Sequence, residues 1–220
     1  MRLLYLLFFL ITAQASQAQF SASFNLQSFH PTGDLKKSAP GIWGGGASVE
    51  GLYKIPESPI ALGLSIGMSR YGSELRKGWH GNNLGDVRYR RQFETLQTSI
   101  LARFHFIDKG YVRPYAEALM GIQGVYTRSI IRGRGSDDFY DHFFDVHDFS
   151  LHYGVGVGVL IELDDFVFLN LGLRDQRSSR TEFLTPRTVH YNRDTSQYIL
   201  EVKQARFNHW QGRIGVTVLL

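Results

Sequence analysis

The stretch that decides the fold is HYGVGVGVLIELDDFVFLNLGLRD, residues 152–175. In its first half Tyr153, Val155, Val157 and Val159 share one face of an extended chain, and glycines occupy the opposite face. A period of two predicts a β-strand, because successive side chains of a strand point to opposite faces. So many glycines exclude a stable helix. One face therefore meets an apolar environment, and the other leaves room for large neighbours.

The same alternation recurs along the chain and predicts eight strands in all. Each strand has roughly nine to eleven residues, the length that a tilted strand needs to cross a bilayer. In every segment one face is apolar and the other carries glycine, serine and polar residues. Besides 152–162, the segments are 20–28, 42–55, 60–69, 96–106, 115–126, 166–174 and 210–220.

The predicted connections alternate between short and long. Residues 56–59, 107–112 and 164–165 are short turns, whereas the other connections are long and rich in charge. This asymmetry is typical of barrels of the outer membrane, with periplasmic turns and extracellular loops. We therefore predict an all-β fold, an eight-stranded antiparallel up-and-down transmembrane β-barrel over residues 19–220. The long loops are expected at 28–41, 70–91, 128–148 and 175–206.

A soluble barrel of the lipocalin type is the alternative. Such a barrel points apolar residues inward around a ligand and polar residues outward. Here the larger apolar face carries essentially no charge. If water covered Ile60, Leu62, Leu64, Ile66 and Met68, they would form an aggregation-prone patch. The pattern favours the membrane barrel.

The N-terminus and the composition limit the setting. The segment MRLLYLLFFLITAQASQA predicts a cleaved signal peptide over residues 1–18. A membrane anchor is the alternative, but the apolar run 3–11 is about half the length of a spanning helix. The chain has no cysteine, which excludes disulfides and thiolate chemistry. The net charge of +4 includes no basic block, so nucleic acid is not a predicted partner.

The last eight residues, RIGVTVLL, fit the assembly signal at the end of outer-membrane barrels. Its positions are Arg213, Gly215, Val218 and Leu220, although the last two are aliphatic where aromatic residues are usual. Residues 19–220 resemble the small eight-stranded outer-membrane barrels, of the OmpX-like type and the PorT-like type of Bacteroidetes. The resemblance implies the outer membrane as location and insertion by the barrel-assembly machinery. It also implies contact with outer-membrane lipid and lipopolysaccharide, and no cofactor.

A set of charged residues falls on the small face, which a membrane barrel turns inward. If the chain turns near residue 110, Arg103 lies opposite Glu117. Buried charges must be paired, so we predict an interior network that plugs the barrel. A gated pore or a proton path is the alternative, but eight strands leave room only for side chains. The predicted network is Glu50, Arg103, Glu117 and Arg213.

The loops supply the remaining candidates. Segment 135–149 is rich in Asp and His but matches no calcium-loop spacing, so no metal site is predicted. The same segment can serve as an acidic, partner-binding face, and the basic loop 70–91 can contact lipid A phosphates. The segment 177–210 is expected to form a hairpin whose exposed edge can pair with a strand of an envelope protein; a loop without a binding role is the alternative. The weak metal candidates in 135–149 are Asp141, His142, Asp145 and His147.

These observations predict a non-enzymatic outer-membrane protein with a scaffold or surface-binding role. A lipid A-modifying enzyme is the alternative, because several histidines, His152 and His209 among them, fall near the outer half. Neither G-x-S-x-G nor H-E-x-x-H occurs in the sequence, so we do not predict an enzyme. A narrow solute pore is the third possibility.

Overall fold

The computed structural model describes residues 19–79, 86–133, 139–185, 188–192 and 197–220. The predicted signal peptide, residues 1–18, lies outside the described residues.

The described residues form twelve strands and one short helix. Eight of the strands are long, and the other four are four-residue segments that follow β7. The elements are β1 (Phe20–Pro31), α1 (Gly33–Ser38), β2 (Gly44–Lys54), β3 (Ile60–Trp79), β4 (Asp86–His105), β5 (Val112–Gly133), β6 (Phe139–Asp164), β7 (Val167–Ser178), β8 (Arg180–Phe183), β9 (Val189–Asn192), β10 (Gln197–Leu200), β11 (Lys203–Arg206) and β12 (His209–Leu219).

The eight long strands form a closed antiparallel barrel in the order β1-β12-β7-β6-β5-β4-β3-β2. β1 and β12 close the ring, with Ser21 opposite Leu219 and Pro31 opposite His209. The stagger of the barrel can be counted along its cross-strand partners. A path that starts at Gly158 on β6 and passes through one partner on each strand comes back to β6 at Asp148, ten residues away. Such a stagger requires tilted strands. The predicted eight-stranded antiparallel up-and-down barrel is confirmed.

The outer face of the barrel is apolar. Side chains such as Ile100, Met120 and Val155 are each more than 60% exposed, although they lie in the middle of long strands. An exposed apolar band of this kind is the surface that lipid covers in membrane barrels, and it is the opposite of the lipocalin arrangement. Among the described residues, no helix is long and apolar enough to cross a membrane.

The predicted boundaries of two loops are wrong. Most of segments 70–91 and 128–148 belongs to strands, since β3 continues to Trp79, β4 begins at Asp86, β5 continues to Gly133 and β6 begins at Phe139. Cross-strand pairing runs on through these charged segments, for example between Arg70 and Glu94. The high charge resembles that of a loop because both faces of a strand outside the membrane can carry polar residues.

The hairpin predicted within residues 177–210 is present. β8 pairs with β11, and β9 pairs with β10, beyond the ends of β7 and β12.

Asp148 on β6 attaches the hairpin to the barrel. Its carboxylate accepts hydrogen bonds from the backbone N–H of Glu182 at 2.8 Å and from the hydroxyl of Thr181 at 3.0 Å. Burial acts to raise the pKa of Asp148, but these hydrogen bonds and one from the backbone N–H of Phe149 outweigh it and lower that pKa.

A closed barrel with an apolar outer face makes a direct prediction about electrophoresis. In detergent the unheated protein should keep its compact barrel and migrate faster than the boiled protein, beside a β-rich circular dichroism spectrum. A protein that dissolves without detergent and shows no difference between heated and unheated samples would contradict the lipid-facing assignment.

Candidate functional site

Five charged side chains meet inside the barrel. Each comes from a different strand, and none is more than 5% exposed. The alternation of the strands turns all five toward the barrel axis. They are Glu50 on β2, Arg103 on β4, Glu117 on β5, Arg174 on β7 and Arg213 on β12.

Each of the three guanidinium groups contacts both carboxylates. Arg103 Nη2 lies 2.9 Å from Glu50 Oε2 and 2.9 Å from Glu117 Oε2. Arg174 donates to Oε1 of each glutamate at 2.6 Å. Arg213 also donates to both Oε1 atoms. Charge-assisted hydrogen bonds of this kind are the strong ones, so the cluster ties five strands together.

Uncharged side chains extend the cluster. The Tyr115 hydroxyl donates to Asn170 Oδ1 at 2.7 Å and accepts from Arg213 Nη2 at 3.2 Å. The guanidinium of Arg103 stacks on the Tyr115 ring, 4.2 Å from its centroid. Asn170 Nδ2 donates in turn to Asn25 Oδ1 at 3.0 Å. The five charged residues together with Tyr115, Asn170 and Asn25 are called the ion-pair layer below.

The glycines of residues 152–175 make room for the ion-pair layer. A Cβ atom at Gly158 would lie 2.3 Å from the Tyr115 hydroxyl oxygen, and one at Gly156 would lie 2.8 Å from Arg174 Cγ. At Gly172 it would lie 2.9 Å from Arg213 Nη2. Any larger residue at these positions would collide with the polar cluster.

The structure brings together all four residues of the predicted network, and Arg103 pairs across the strands with Glu117. It adds Arg174, which the sequence prediction omitted. The signal for Arg174 was present, because the alternation of FVFLNLGLR places it on the inner face. The position of Arg174 along the barrel axis, relative to Glu50, depends on the pairing of strands that are not consecutive in the sequence.

A second polar layer lies between the ion-pair layer and the extracellular end. Its side chains hydrogen-bond to one another: Gln27 Nε2 donates to Ser69 Oγ at 2.8 Å, and Gln176 Nε2 donates to Gln211 Oε1 at 2.8 Å. Ser99 Oγ and His152 Nε2 are 2.8 Å apart. Both members of this Ser–His pair are buried in the barrel.

An apolar cluster covers the second polar layer at the extracellular end. Tyr71 stands at its centre, where its hydroxyl donates to the backbone oxygen of Leu184 at 3.1 Å and its ring packs on Phe207. No local pattern in the sequence predicts this cluster. Its members, called the apolar cap below, are Phe29, Leu35, Ala39, Tyr71, Phe93, Val125, Phe183, Leu184, Ala205 and Phe207.

The periplasmic end of the barrel holds a cavity of about 220 Å³. His105, Lys54 and Arg113 line it, and Arg103 of the ion-pair layer forms part of its inner wall. Lys54 pairs with Asp108 at 3.0 Å. The cavity ends at the ion-pair layer, so it is a pocket of the periplasmic mouth.

The residues of the predicted assembly signal lie on β12 or directly after it. Gly215 has no room for a side chain, since a Cβ atom there would lie 2.1 Å from the backbone oxygen of Phe24. Leu220 is 62% exposed, and its backbone N–H donates to the backbone oxygen of Phe20 at 2.8 Å. The segment therefore belongs to the strand that closes the barrel. Its recognition by the barrel-assembly machinery stays a prediction.

The weak metal candidates are only partly described. Asp141, His142 and Asp145 belong to β6, but their side chains lie outside the described part of the chain, and His147 is exposed. No group of three His, Asp or Glu side chains that could hold a metal ion occurs among the described residues.

Solved structures similar to this one are outer-membrane and bacterial surface proteins. Neisserial surface protein A matches 92% of this chain and 97% of its own at 15% identity, with a TM-score of 0.50. A major outer membrane protein from Thermus thermophilus matches 90% of this chain and 98% of its own at 12% identity, with a TM-score of 0.47. OprG from Pseudomonas aeruginosa matches 90% and 94% at 9% identity, with a TM-score of 0.46.

No protein-family model matches the sequence, and no curated protein matches it significantly. The likeness to Neisserial surface protein A concerns the fold. Together with the apolar outer face, it identifies the class of protein as a closed eight-stranded transmembrane β-barrel.

The ion-pair layer makes a prediction about stability. Glu117→Gln removes one of two carboxylates from three guanidinium groups, which should cost about 3–5 kcal/mol because buried charge is left uncompensated. The matched control is Glu162→Gln, whose partial exposure (31%, with Arg113 at 21%) limits the expected loss to about 1 kcal/mol. Urea unfolding in detergent micelles, followed by the gel shift, measures both. Equal losses would contradict the role given to the layer.

The packing of the glycines makes a separate prediction. Gly158→Ala places a methyl group against the Tyr115 hydroxyl and the Leu171 backbone oxygen, and overpacking of this kind costs about 1–3 kcal/mol. Gly51→Ala is the control, since a Cβ atom at Gly51 meets no atom within 4 Å. The midpoint temperature of the gel shift should fall for the first variant and stay near wild type for the second. A neutral Gly158→Ala would show that the glycines are not required for packing.

Proposed function

We propose that this chain is an integral outer-membrane protein with a scaffold or surface-binding role, and that it catalyses no reaction. The transmembrane barrel and its likeness in fold to Neisserial surface protein A support this location. The predicted signal peptide agrees with export to the envelope. The finer relationship, to the OmpX-like and PorT-like barrels, is part of the same proposal.

The observation that supports the proposal is that buried side chains pack at two levels inside the described barrel. The ion-pair layer fills its middle, and the apolar cap covers its extracellular end. We therefore propose that the interior is plugged and conducts no solute, since eight strands leave room only for side chains. At the same time β3, β4, β5 and β6 extend far beyond the apolar band as a paired sheet. An ordered extracellular surface on a closed barrel suits binding better than transport.

Three kinds of partner follow from this role. Outer-membrane lipid and lipopolysaccharide surround the apolar band, and the barrel-assembly machinery inserts the chain through its C-terminal segment. The third is an envelope protein that binds the extracellular strands. Among the described residues β9 and β10 pair with each other in a two-stranded sheet, and we propose that a strand of such a partner adds to this sheet.

A lipid A-modifying enzyme and a narrow pore are the alternatives. The Ser99–His152 pair has the residue types of a hydrolase, but both residues lie inside the barrel beneath the apolar cap. Such a pair needs access to its substrate. The enzyme alternative predicts an altered lipid A mass spectrum after deletion of the gene, and the scaffold predicts none.

Conductance in a planar lipid bilayer tests the closed interior. The wild-type protein should insert and show no discrete single-channel steps, because paired charges and apolar side chains fill its lumen. A porin inserted from the same detergent serves as the positive control. Regular steps from the wild-type protein would contradict the proposal and support the pore.

A further inference from the structure

The outer rim of the barrel carries a row of polar side chains that face outward. Arg70 on β3, Glu94 on β4, Tyr126 on β5 and His147 on β6 are successive cross-strand partners. The row lies directly above the apolar band, since the next outward positions below Arg70 and Glu94 are Met68 and Leu96. In a membrane barrel this height corresponds to the headgroups of the outer leaflet.

An open groove of about 780 Å³ crosses this boundary. Its lower part is apolar, formed by Met68, Leu96 and Phe149. Gly124 lies between Leu96 and Phe149 in the cross-strand row and carries no side chain, so the Phe149 ring packs toward it. The upper part holds the polar row and Arg128. We call the whole the outer-rim groove.

The charges of the outer-rim groove do not balance. Arg70 is already paired with Glu94, through Nε at 2.9 Å and Nη2 at 2.5 Å. The Tyr126 hydroxyl also hydrogen-bonds to Glu94. Arg128 is half-buried, and its buried Nε atom has no hydrogen-bond partner among the described residues. Among the described side chains, the groove therefore holds two guanidinium groups against one carboxylate, and the Nε donor of Arg128 has no hydrogen bond.

We infer that the outer-rim groove binds a phosphate-bearing lipid of the outer leaflet. The guanidinium of Arg128 takes the phosphate, because its fork of donors matches phosphate oxygens. His147, which is exposed beside it, supplies a further donor. The acyl chain lies along Met68, Leu96 and Phe149, which lipid would cover in any case. This inference rests on the proposed function, since it requires the membrane location.

β7, the strand next to β6, offers a comparison. Arg177 on β7 also faces outward, but it is paired with Asp175 at 3.1 Å and its side chain is 60% exposed. An arginine of this kind reaches into water and already has an anionic partner. If anionic lipid is attracted non-specifically, loss of Arg177 or of Arg128 should weaken binding equally. If the groove is a specific site, only the loss of Arg128 should weaken it.

The test uses purified full-length barrel in detergent micelles, after the gel shift has shown that it is folded. Native mass spectrometry measures the fraction of protein that carries a bound lipid. The probes are lysophosphatidic acid, a monoacylglycerol with the same chain, and inorganic phosphate. We expect wild type to bind lysophosphatidic acid in preference to both others, because only that probe has chain and phosphate together.

The variants are Arg128→Gln, Arg128→Lys and the control Arg177→Gln. Arg128→Gln should weaken binding of lysophosphatidic acid about tenfold, the value of a charged hydrogen bond, and Arg128→Lys should restore part of it. Arg177→Gln should change it by less than about twofold, as expected of an exposed ion pair.

Three results would overturn the inference. They are equal binding of the monoacylglycerol, binding of inorganic phosphate as tight as that of lysophosphatidic acid, and equal losses in Arg128→Gln and Arg177→Gln. A protein that shows the gel shift but no phosphate-dependent binding refutes the groove alone. A protein without the gel shift refutes the proposed function.

Discussion

The pairing of β1 with β12 is the interaction on which the rest of the structure depends. Lipid offers no hydrogen bonds to a peptide backbone, so a sheet in a bilayer must close on itself. β12 pairs with β7 on one side and with β1 on the other, and so leaves the barrel no open edge. Because the barrel is closed, the inward side chains of five different strands all point toward its axis. The ion-pair layer exists only because Glu50, Glu117 and the three arginines meet there.

The composition of the inner face changes where the solvent outside the barrel changes. Within the apolar band, β4 turns Gln97, Ser99 and Arg103 inward, and lipid covers the outside. Beyond the band the same face carries Phe93, while Glu94 on the outward side pairs with Arg70. In lipid, turning apolar side chains inward removes them from no water and gains no hydrophobic free energy. The interior at this level can therefore be polar if its charges are paired. Water restores that advantage above the membrane, where the apolar cap forms.

Much of the fold and part of the candidate site could be predicted from local pattern. Alternation places Glu50, Arg103, Glu117 and Arg213 inside, and the turn near residue 110 sets Arg103 opposite Glu117. The extents of β3 to β6 were missed because their outer halves carry charge on a surface that water covers. The apolar cap was missed because its members come from β1, α1, β3, β4, β5, β8, β11 and the residues that follow α1, β8 and β11. No local pattern relates such distant segments.

The sequence by itself determined which face of each strand meets lipid, because side-chain direction alternates along any strand. It also determined that glycine must stand opposite the bulky polar residues, as at Gly156 and Gly158. Only the tertiary structure decided that Arg174 completes the ion-pair layer and that the Nε atom of Arg128 has no hydrogen-bond partner among the described residues. The positions of residues on different strands along the barrel axis depend on the stagger summed over all eight strands. That stagger is a property of the closed sheet.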